Sequence, residues 1–445
     1  MPTNSNDPRR RPFYRGAMLY VYALILAAAA PTAGRAQEYK SDAVDAEANR
    51  FAGIAKTQCV RDASRYAADK AKFAEYFTKA YFPQMTRTSP EDLEKLGDAR
   101  YNLFDDFLWA TNNEQLQRDL TTLTMGAMLN IIKPQNQPYH PAVRYNAVLI
   151  IGMLDEQYPR QGANPRPSKP LPQATQVLTR IVELATTRDV FAPPVILGAV
   201  IGLERHAQLR ASLSPAQIQA MTAALLTLIN HEEPIQEMDR SAYSWLRVRA
   251  AGVLALLGNR GADNEVHDAI VKLAGGLRSL DDRCEAAALL QKLDYRDAKL
   301  DPATTTDPLF ALARDLGEAE AKRAREFQEQ RLGSGGYVPV GPGGRGYGAG
   351  VYGEQQELFP RNHVLDRLVD LRDGLQAVKP AVLEESQAQI DAVLAAISPV
   401  INSAADDDTG ELQFTSNVVS MADAIELAVP AVEPVAKADT EAAGF

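Results

Sequence analysis

Apolar side chains recur at helical spacing along most of this chain. Phe73 and Phe77, for example, fall on one face of a helix with about 3.6 residues per turn. Ser89 followed by Pro90 predicts a new helix start, because serine caps free amide groups and proline suits the first helical turn. We therefore predict an N-terminal helical cap over residues 37–113.

Between residues 114 and 293 the predicted helices come in pairs, and the second helices resemble one another. The shared motif is Val-Arg-x-x-Ala or a close variant, followed by a leucine-rich stretch and a glycine. The four copies begin at Pro141, Pro194, Leu246 and Asp282. Aligned in this way, Arg144, Arg249 and Arg283 are equivalent, and Ile196 takes their place in the weakest copy. The first helices of the pairs are predicted over residues 116–132, 175–185, 218–229 and 266–277.

This motif resembles the second helix of a HEAT repeat, including the short bacterial repeats related to those of phycobilisome lyases. The resemblance implies an all-α fold, a HEAT-type α-solenoid of helix pairs over residues 114–331, with an extended surface that binds another protein. It also implies that the recurring arginines brace adjacent repeats. An irregular helical bundle is the alternative, because alanine and leucine at helical spacing are common to both.

The C-terminal part is predicted to hold three different segments. Residues 332–356 are glycine-rich and are expected to form a flexible linker. Residues 357–400 carry two amphipathic patterns that predict a helical hairpin, which we expect to move independently and to dock on a partner. Residues 401–445 are acidic and are predicted to be a disordered tail.

The N-terminus has the pattern of an export signal. Arginines at positions 9–11 precede an apolar run over residues 17–30, and small residues at Gly34 and Ala36 suit a signal peptidase. Residues 1–36 are therefore predicted to be a signal peptide, with no integral membrane span in the mature chain. The segment also resembles a twin-arginine signal, although Pro12 and Tyr14 depart from that pattern.

Composition and charge narrow the classes of partner. Aromatic residues make up only 7% of the chain, which favours helices packed through small and straight side chains. The net charge of -10 argues against nucleic acid as a ligand, because phosphate binding needs clustered lysine and arginine. The two cysteines, Cys59 and Cys284, are predicted to be buried thiols.

The sequence shows no catalytic constellation, and we predict no catalytic residue, no metal site and no cofactor. The five histidines are dispersed and form no His-x-x-x-His pair. His231 with Glu232 and Glu233 is interpreted as a solvated turn. The Gly341–Gly346 run lacks the flanking strand and helix of a phosphate-binding loop. The protein is therefore predicted not to be an enzyme.

Five residues are candidates for partner binding: Arg144, Tyr145, Trp245, Arg249 and Arg283. Arginine and aromatic side chains anchor interfaces more often than other residues do. For the three arginines, ion pairs between neighbouring repeats are the alternative. For Tyr145 and Trp245, packing at the repeat edge is the alternative.

The leading hypothesis is an exported, periplasmic or secreted, non-catalytic scaffold that binds another protein. One alternative is an envelope structural protein that self-associates through the C-terminal hairpin. Another is a lyase-like enzyme or enzyme subunit.

Export predicts a specific mature N-terminus. Cleavage after Ala36 should leave native protein that begins at Gln37 or close to it, because the small residues before this bond suit the peptidase. N-terminal sequencing or intact-mass measurement checks this, and native protein that retains residues 1–36 would contradict it.

Overall fold

The computed structural model describes residues 39–134, 138–160, 165–188, 190–333, 359–406 and 408–429. These residues are almost entirely helical, with one small two-stranded sheet, so the prediction of an all-α fold is confirmed. The predicted signal peptide and most of the glycine-rich segment lie outside the described residues. The chain divides into two compact units between Leu257 and Gly258, so the solenoid predicted over residues 114–331 spans parts of both.

The N-terminal part of the first unit consists of short helices and π-helical turns. The α-helices are α1 Ala46–Asn49, α2 Ala52–Ile54, α3 Ala63–Tyr76, α4 Phe82–Gln84, α5 Pro90–Glu94 and α6 Leu96–Leu103, and the π-helical turns are Ala55–Cys59, Phe77–Tyr81 and Phe104–Leu108. Ser89 Oγ accepts a hydrogen bond from the Asp92 amide at 3.2 Å, so the predicted start at Pro90 is confirmed. The core of this part is aromatic, with the buried rings of Phe77 and Phe107 centred 5.0 Å apart.

Longer helices make up the rest of the first unit. They are α7 Glu114–Ile132, α8 Pro141–Met153, α9 Pro172–Ala185, α10 Pro193–Gln208, α11 Pro215–Asn230 and α12 Arg240–Leu257, with a 3₁₀ turn at Arg210–Ser212. Four of them begin at proline, which has no amide to leave unpaired in the first turn. Strand β1 Asp155–Gln157 pairs antiparallel with β2 Lys169–Pro170 between α8 and α9. The predicted first helices of these three pairs are confirmed as α7, α9 and α11.

The second helices of the first unit contact one another in chain order. Helix α10 packs against α8 and α12, and also against its pair helix α9. Glycines allow the close approach of α8 and α10, because a Cβ atom on Gly152 would lie 2.6 Å from the Cα of Gly202. On the same crossing, a Cβ on Gly198 would meet Val148 and Tyr145 at 3.1 and 3.2 Å. Larger residues at Gly152 and Gly202 would force these two backbones apart.

A buried histidine ties three helices of the first unit together. His206 of α10 is fully buried, and its Nε2 donates to the Gly152 carbonyl of α8 at 3.1 Å. Its Nδ1 therefore accepts from the Thr175 hydroxyl of α9 at 3.0 Å. Burial, helped by the nearby Arg205 charge, lowers the pKa of His206 to about 3. The ring is accordingly neutral at ordinary pH and acts as a structural brace.

The second unit contains the remaining helices. They are α13 Glu265–Gly276, α14 Leu280–Leu289, α15 Pro302–Gly333, α16 Arg361–Val378, α17 Glu384–Ala404 and α18 Glu411–Ala428, with 3₁₀ turns at Ala262–Asn264, Leu290–Lys292 and Lys379–Ala381. Helices α13, α15 and α18 contact one another in that order. Helices α14, α16 and α17 form a second such row. The first helix of the fourth predicted pair is confirmed as α13.

The predicted C-terminal hairpin exists as α16 and α17, but it is not a separate arm. Helix α16 packs against α14 and α15, and α17 packs against α18. The apolar residues that defined the hairpin pattern, including Leu368, Leu371 and Ile390, are fully buried. The expectation of independent movement is therefore wrong, because moving the hairpin away would expose these side chains to water.

The prediction of a disordered tail is wrong for residues 411–428, which form α18. Phe414, Val418, Met421 and Ile425 lie on one helical face and are buried. Gln328 of α15 donates to the Thr415 hydroxyl of α18 at 2.9 Å. Apolar burial therefore outweighs the acidic composition of this stretch.

Two sequence predictions concern the cysteines and membrane insertion. Cys59 and Cys284 are both buried and unpaired, which confirms the predicted thiols. None of the helices in the described ranges has the length and apolar character needed to cross a bilayer.

The neutral state of His206 predicts an acid-sensitive first unit. The folded pKa is below the unfolded value of about 6.5, so stability is full above pH ~6.5 and falls as pH drops towards 3. His206→Gln should reduce the slope of unfolding free energy against pH by up to about 1.4 kcal/mol per pH unit in this window. Urea denaturation at several pH values measures it.

The matched control is His231→Gln, which removes an imidazole from a loop of the same unit. An unchanged slope in His206→Gln, or an equal change in both variants, would contradict the proposed role of burial.

Candidate partner-binding surface

One side of the three second helices α8, α10 and α12 carries a row of half-exposed residues. The row on each helix has a spacing of about four residues, as one helical face requires. Its members are Tyr145, Leu149 and Met153 on α8, Ile201 and Arg205 on α10, and Trp245, Arg249 and Leu256 on α12. We call the surface formed by Tyr145, Leu149, Ile201, Trp245 and Arg249 the second-helix face. Helix α10 packs against both α8 and α12, so these residues lie on neighbouring helices.

Trp245 and Arg249 form the most distinctive part of the second-helix face. The Arg249 Cζ lies 6.0 Å from the centre of the Trp245 ring, and Arg249 Nη2 forms an ion pair with Glu204 of α10. Both partners of this ion pair are about one quarter exposed, at 23% and 24% of their side chains. The ion pair with Glu204 fixes the Arg249 guanidinium against the Trp245 indole, and part of the indole faces solvent.

Tyr145 occupies the other end of the second-helix face. Its ring packs beside Gly198 of α10, which has no side chain to displace it. Burial raises the pKa of Tyr145, and the Arg100 charge partly opposes that shift. Arg100 is held by Asn146 Oδ1 at 2.7 Å. The phenol is therefore neutral at ordinary pH.

The other charges near this face are also paired within the chain. Arg205 binds both carboxylate oxygens of Asp155, at 2.9 and 2.8 Å. Asp155 is 1% exposed, and burial raises its pKa against the lowering effect of Arg205. With Arg205–Asp155 and Arg249–Glu204 paired, the face carries little net charge. Its free binding capacity is apolar and aromatic.

Two predicted partner-binding residues, Arg144 and Arg283, are instead buried braces. Arg144 Nη2 donates to the Ile132 carbonyl at the end of α7, at 3.0 Å. Arg283 Nε donates to the Ala274 carbonyl near the end of α13, at 2.8 Å, and its Nη1 binds Asp315 at 2.7 Å. Burial lowers the pKa of Arg144. Neither guanidinium is placed to meet a partner, because each donates a hydrogen bond to a carbonyl near the C-terminus of the first helix of its own pair.

Arg247, which the sequence alignment passed over, fills the same role in α12. Its Nε donates to the Ile229 carbonyl near the end of α11, at 2.7 Å, and it is 8% exposed. Arg144 is therefore equivalent to Arg247 and not to Arg249, and the predicted alignment of these two helices was displaced by two residues. The signal that could have set the register is Arg-x-x-Ala, since Ala147, Ala250 and Ala286 are all buried. In α10 the corresponding residues are Ile196 and Ala199, and no arginine brace is formed there.

A separate concavity lies between the N-terminal helices and α7. Its volume is about 420 Å³, and its floor includes Gly126 and Ala127. Three lining threonines donate their hydroxyl hydrogens to backbone carbonyls: Thr78 to Ala74, Thr86 to Pro83 and Thr122 to Arg118. Thr86 Oγ1 also accepts a hydrogen bond from the Asp42 amide at 2.8 Å.

The His231 ring makes its closest polar contact within its own turn. His231 Nδ1 lies 2.8 Å from the Glu233 carbonyl oxygen within the turn that was interpreted as solvated. Within the described part of the chain, no three His, Cys, Asp or Glu side chains are grouped so that they could hold a metal ion.

Comparison with known proteins gives no relative from which a function could be transferred. No family model, curated protein or solved structure matches this chain.

The two neighbouring arginines of α12 allow a matched test of the brace. Arg247→Met should destabilise the first unit by about 1–3 kcal/mol, because the buried Ile229 carbonyl loses its donor. Arg249→Met loses a partly exposed ion pair and a contact with the Trp245 ring, neither of which leaves a buried polar group unpaired, and should cost about 0.2–1 kcal/mol. Denaturant unfolding measures both, and equal losses would show that the assigned register is incorrect.

Proposed function

We propose that this protein is an exported, non-catalytic scaffold of HEAT type that binds another protein through the second-helix face. The observation that carries the proposal is the joint partial exposure of Trp245, Arg249 and Tyr145 on second helices that are largely buried. Tryptophan, tyrosine and arginine are the residues that most often dominate binding energy at protein interfaces.

The packing of the first unit supports the repeat interpretation. Helices α7 and α8, α9 and α10, and α11 and α12 pack as consecutive pairs, and the second helices contact one another in order. Arginine braces within the first and third pairs repeat one interaction at equivalent positions. Such nearest-neighbour packing is typical of solenoids, whose stacked helices offer extended surfaces to partners.

The chemistry of the face indicates what the partner contributes. Its charges are already neutralised within the chain, so a partner gains little by offering a strong charge of either sign. Apolar side chains that cover Trp245, Ile201 and Leu149 would remove half-exposed surface from water, at about 25 cal/mol per Å². The proposed partner therefore presents an apolar segment with polar edges.

Self-association through the C-terminal hairpin receives less support. The hairpin's apolar face is already covered by α14, α15 and α18 within the same chain, so it is not free to meet a second copy. The lyase-like alternative has only the resemblance of the repeat motif behind it. The proposal that the protein is exported is supported by the N-terminal sequence, in which a charged segment precedes an apolar one as in a signal peptide.

The test is affinity capture with full-length protein from the native envelope fraction, followed by mass spectrometry. Wild-type protein should retain a specific partner, and Trp245→Ala should lose at least about tenfold of that partner, since hot-spot truncation costs 2 kcal/mol or more. Trp109→Ala is the matched control, because Trp109 is 37% exposed on the first unit but outside the second-helix face.

Equal recovery of the partner by wild type and Trp245→Ala would contradict the assigned face. Recovery of no specific protein, together with tight binding of a small molecule, would contradict the scaffold function itself.

The fluorescence of Trp245 provides a second, direct test. In a Trp109→Phe variant, Trp245 is the one remaining tryptophan of the chain. The wavelength of its emission should therefore shift when the purified partner binds.

A further inference from the structure

Two exposed aromatic side chains of the first unit lie beside one another. Tyr101, near the end of α6, is 56% exposed, and Trp109, which follows the Phe104–Leu108 turn, is 37% exposed. Their ring centres are 6.5 Å apart, and the ring planes meet at 82°. We call this pair the aromatic corner.

The position of Trp109 in the aromatic corner is fixed from inside the unit. The buried ring of Phe104 packs against the indole with the ring centres 5.4 Å apart, and the Trp109 amide donates to the Phe104 carbonyl at 2.7 Å. Edge-to-face ring pairs have centres about 4.5–7 Å apart, so Tyr101 and Trp109 stand near the upper limit and cover little of each other. Each ring therefore keeps part of its surface open to a ligand.

Two carboxylates without a cation partner flank Tyr101. Asp98 lies three residues before it and Asp105 four residues after it, which are the spacings of neighbours on one helical side. Among the described residues, neither carboxylate forms an ion pair. The Asp105 charge, together with a hydrogen bond to the Tyr101 hydroxyl, raises the pKa of Tyr101, so this carboxylate lies close to the ring.

The cations around the aromatic corner do not neutralise Asp98 and Asp105. Lys56 binds Asp106 at 2.7 Å, and Arg100 donates to Asn146 Oδ1 at 2.7 Å. Lys95, one turn before Asp98, forms no ion pair with it within the described part of the chain. The aromatic corner therefore stands in a negative electrostatic field, which attracts a cation.

We propose that the aromatic corner binds a small molecule that carries a quaternary ammonium group, with its methyl groups against the Tyr101 and Trp109 rings. A cation within about 6 Å of a ring centre is attracted by the electrons of the ring face, and one cation can meet this condition for both rings. Asp98 and Asp105 balance its charge.

The ring surfaces select the type of cation. The primary ammonium group of lysine is compact and strongly hydrated, so it loses hydration when it moves onto a ring. A trimethylammonium group is weakly hydrated and presents apolar methyl groups to the rings. The aromatic corner therefore favours choline-type cations over a lysine side chain. Neither ring belongs to the second-helix face, so this site does not depend on the proposed scaffold function.

The fluorescence of Trp109 can report the binding directly. In full-length Trp245→Phe protein, Trp109 is the remaining tryptophan. Titration with choline chloride, compared with sodium chloride at the same ionic strength, should change its emission in a saturable manner. The matched probe is the neutral isostere of choline, in which a tert-butyl group replaces the trimethylammonium group. The isostere should bind several times more weakly, because it keeps the shape of choline and lacks its charge.

Two variants of the Trp245→Phe protein separate the contributions of ring and charge. Tyr101→Leu keeps an exposed apolar side chain but removes one ring, and should weaken choline binding by about two- to fivefold. Asp105→Asn should weaken the binding of choline and leave that of the isostere unchanged, because the carboxylate attracts only the cation. Glu94→Gln is the matched control, since it removes one acid from an exposed position on α5 and should change neither affinity.

Three results would overturn the proposal. Equal affinity for choline and its isostere would identify a general apolar patch. Choline binding that Tyr101→Leu and Asp105→Asn leave unchanged would place the cation elsewhere. Phosphatidylcholine vesicles form the third arm: a change in Trp109 emission with vesicles but not with free choline would assign the aromatic corner to a membrane headgroup in place of a small molecule.

Discussion

The carbonyl groups at the C-terminus of a helix have no partner within that helix, and in three pairs of this protein a buried arginine supplies one. Arg144, Arg247 and Arg283 each reach from a second helix to the end of the preceding first helix. A guanidinium fixed in this way sets the rotation of the second helix about its own axis. The rotation then decides which residues of that helix are buried and which reach solvent.

In α12 the consequence of this rotation is direct. Arg247 points inward, so Arg249, two residues and about 200° further round the helix, must point outward. Trp245 precedes Arg249 by four residues and shares its side, and the two side chains pack together beside Glu204. The hydrogen bond from Arg247 to the Ile229 carbonyl therefore helps to determine which residues of α12 belong to the second-helix face.

Part of this arrangement could be predicted from the sequence. The helical class, the capped start at Pro90 and the first helices of the pairs follow from local rules of spacing and capping. The rotation of α12 does not follow, because Arg247 and Arg249 both stand among apolar residues and both fit the motif locally. Each has a small residue three positions later, Ala250 or Gly252, and only packing between the helices, which buries Ala250 fully and Gly252 in part, separates them.

The C-terminal region was missed for a different reason. The acidic composition of residues 401–445 gave no indication of the apolar face that Phe414 and Ile425 form, because the acids of α18 lie on its other sides. A glycine-rich segment likewise suggested a mobile hairpin, although linker composition says nothing about what the following helices bury. Helices α16 to α18 complete the two rows that α13 to α15 begin, so their amphipathic faces are satisfied within the unit.

The two units also differ in how they treat buried charge. In the first unit His206 is neutral and Asp155 is matched by Arg205, while the buried Arg144 and Arg247 donate to helix-end carbonyls. In the second unit one cation, Arg367, serves both Asp281 and the fully buried Glu320, while Asp370 has burial and carboxylates as its strongest influences. A single guanidinium thereby joins α14, α15 and α16.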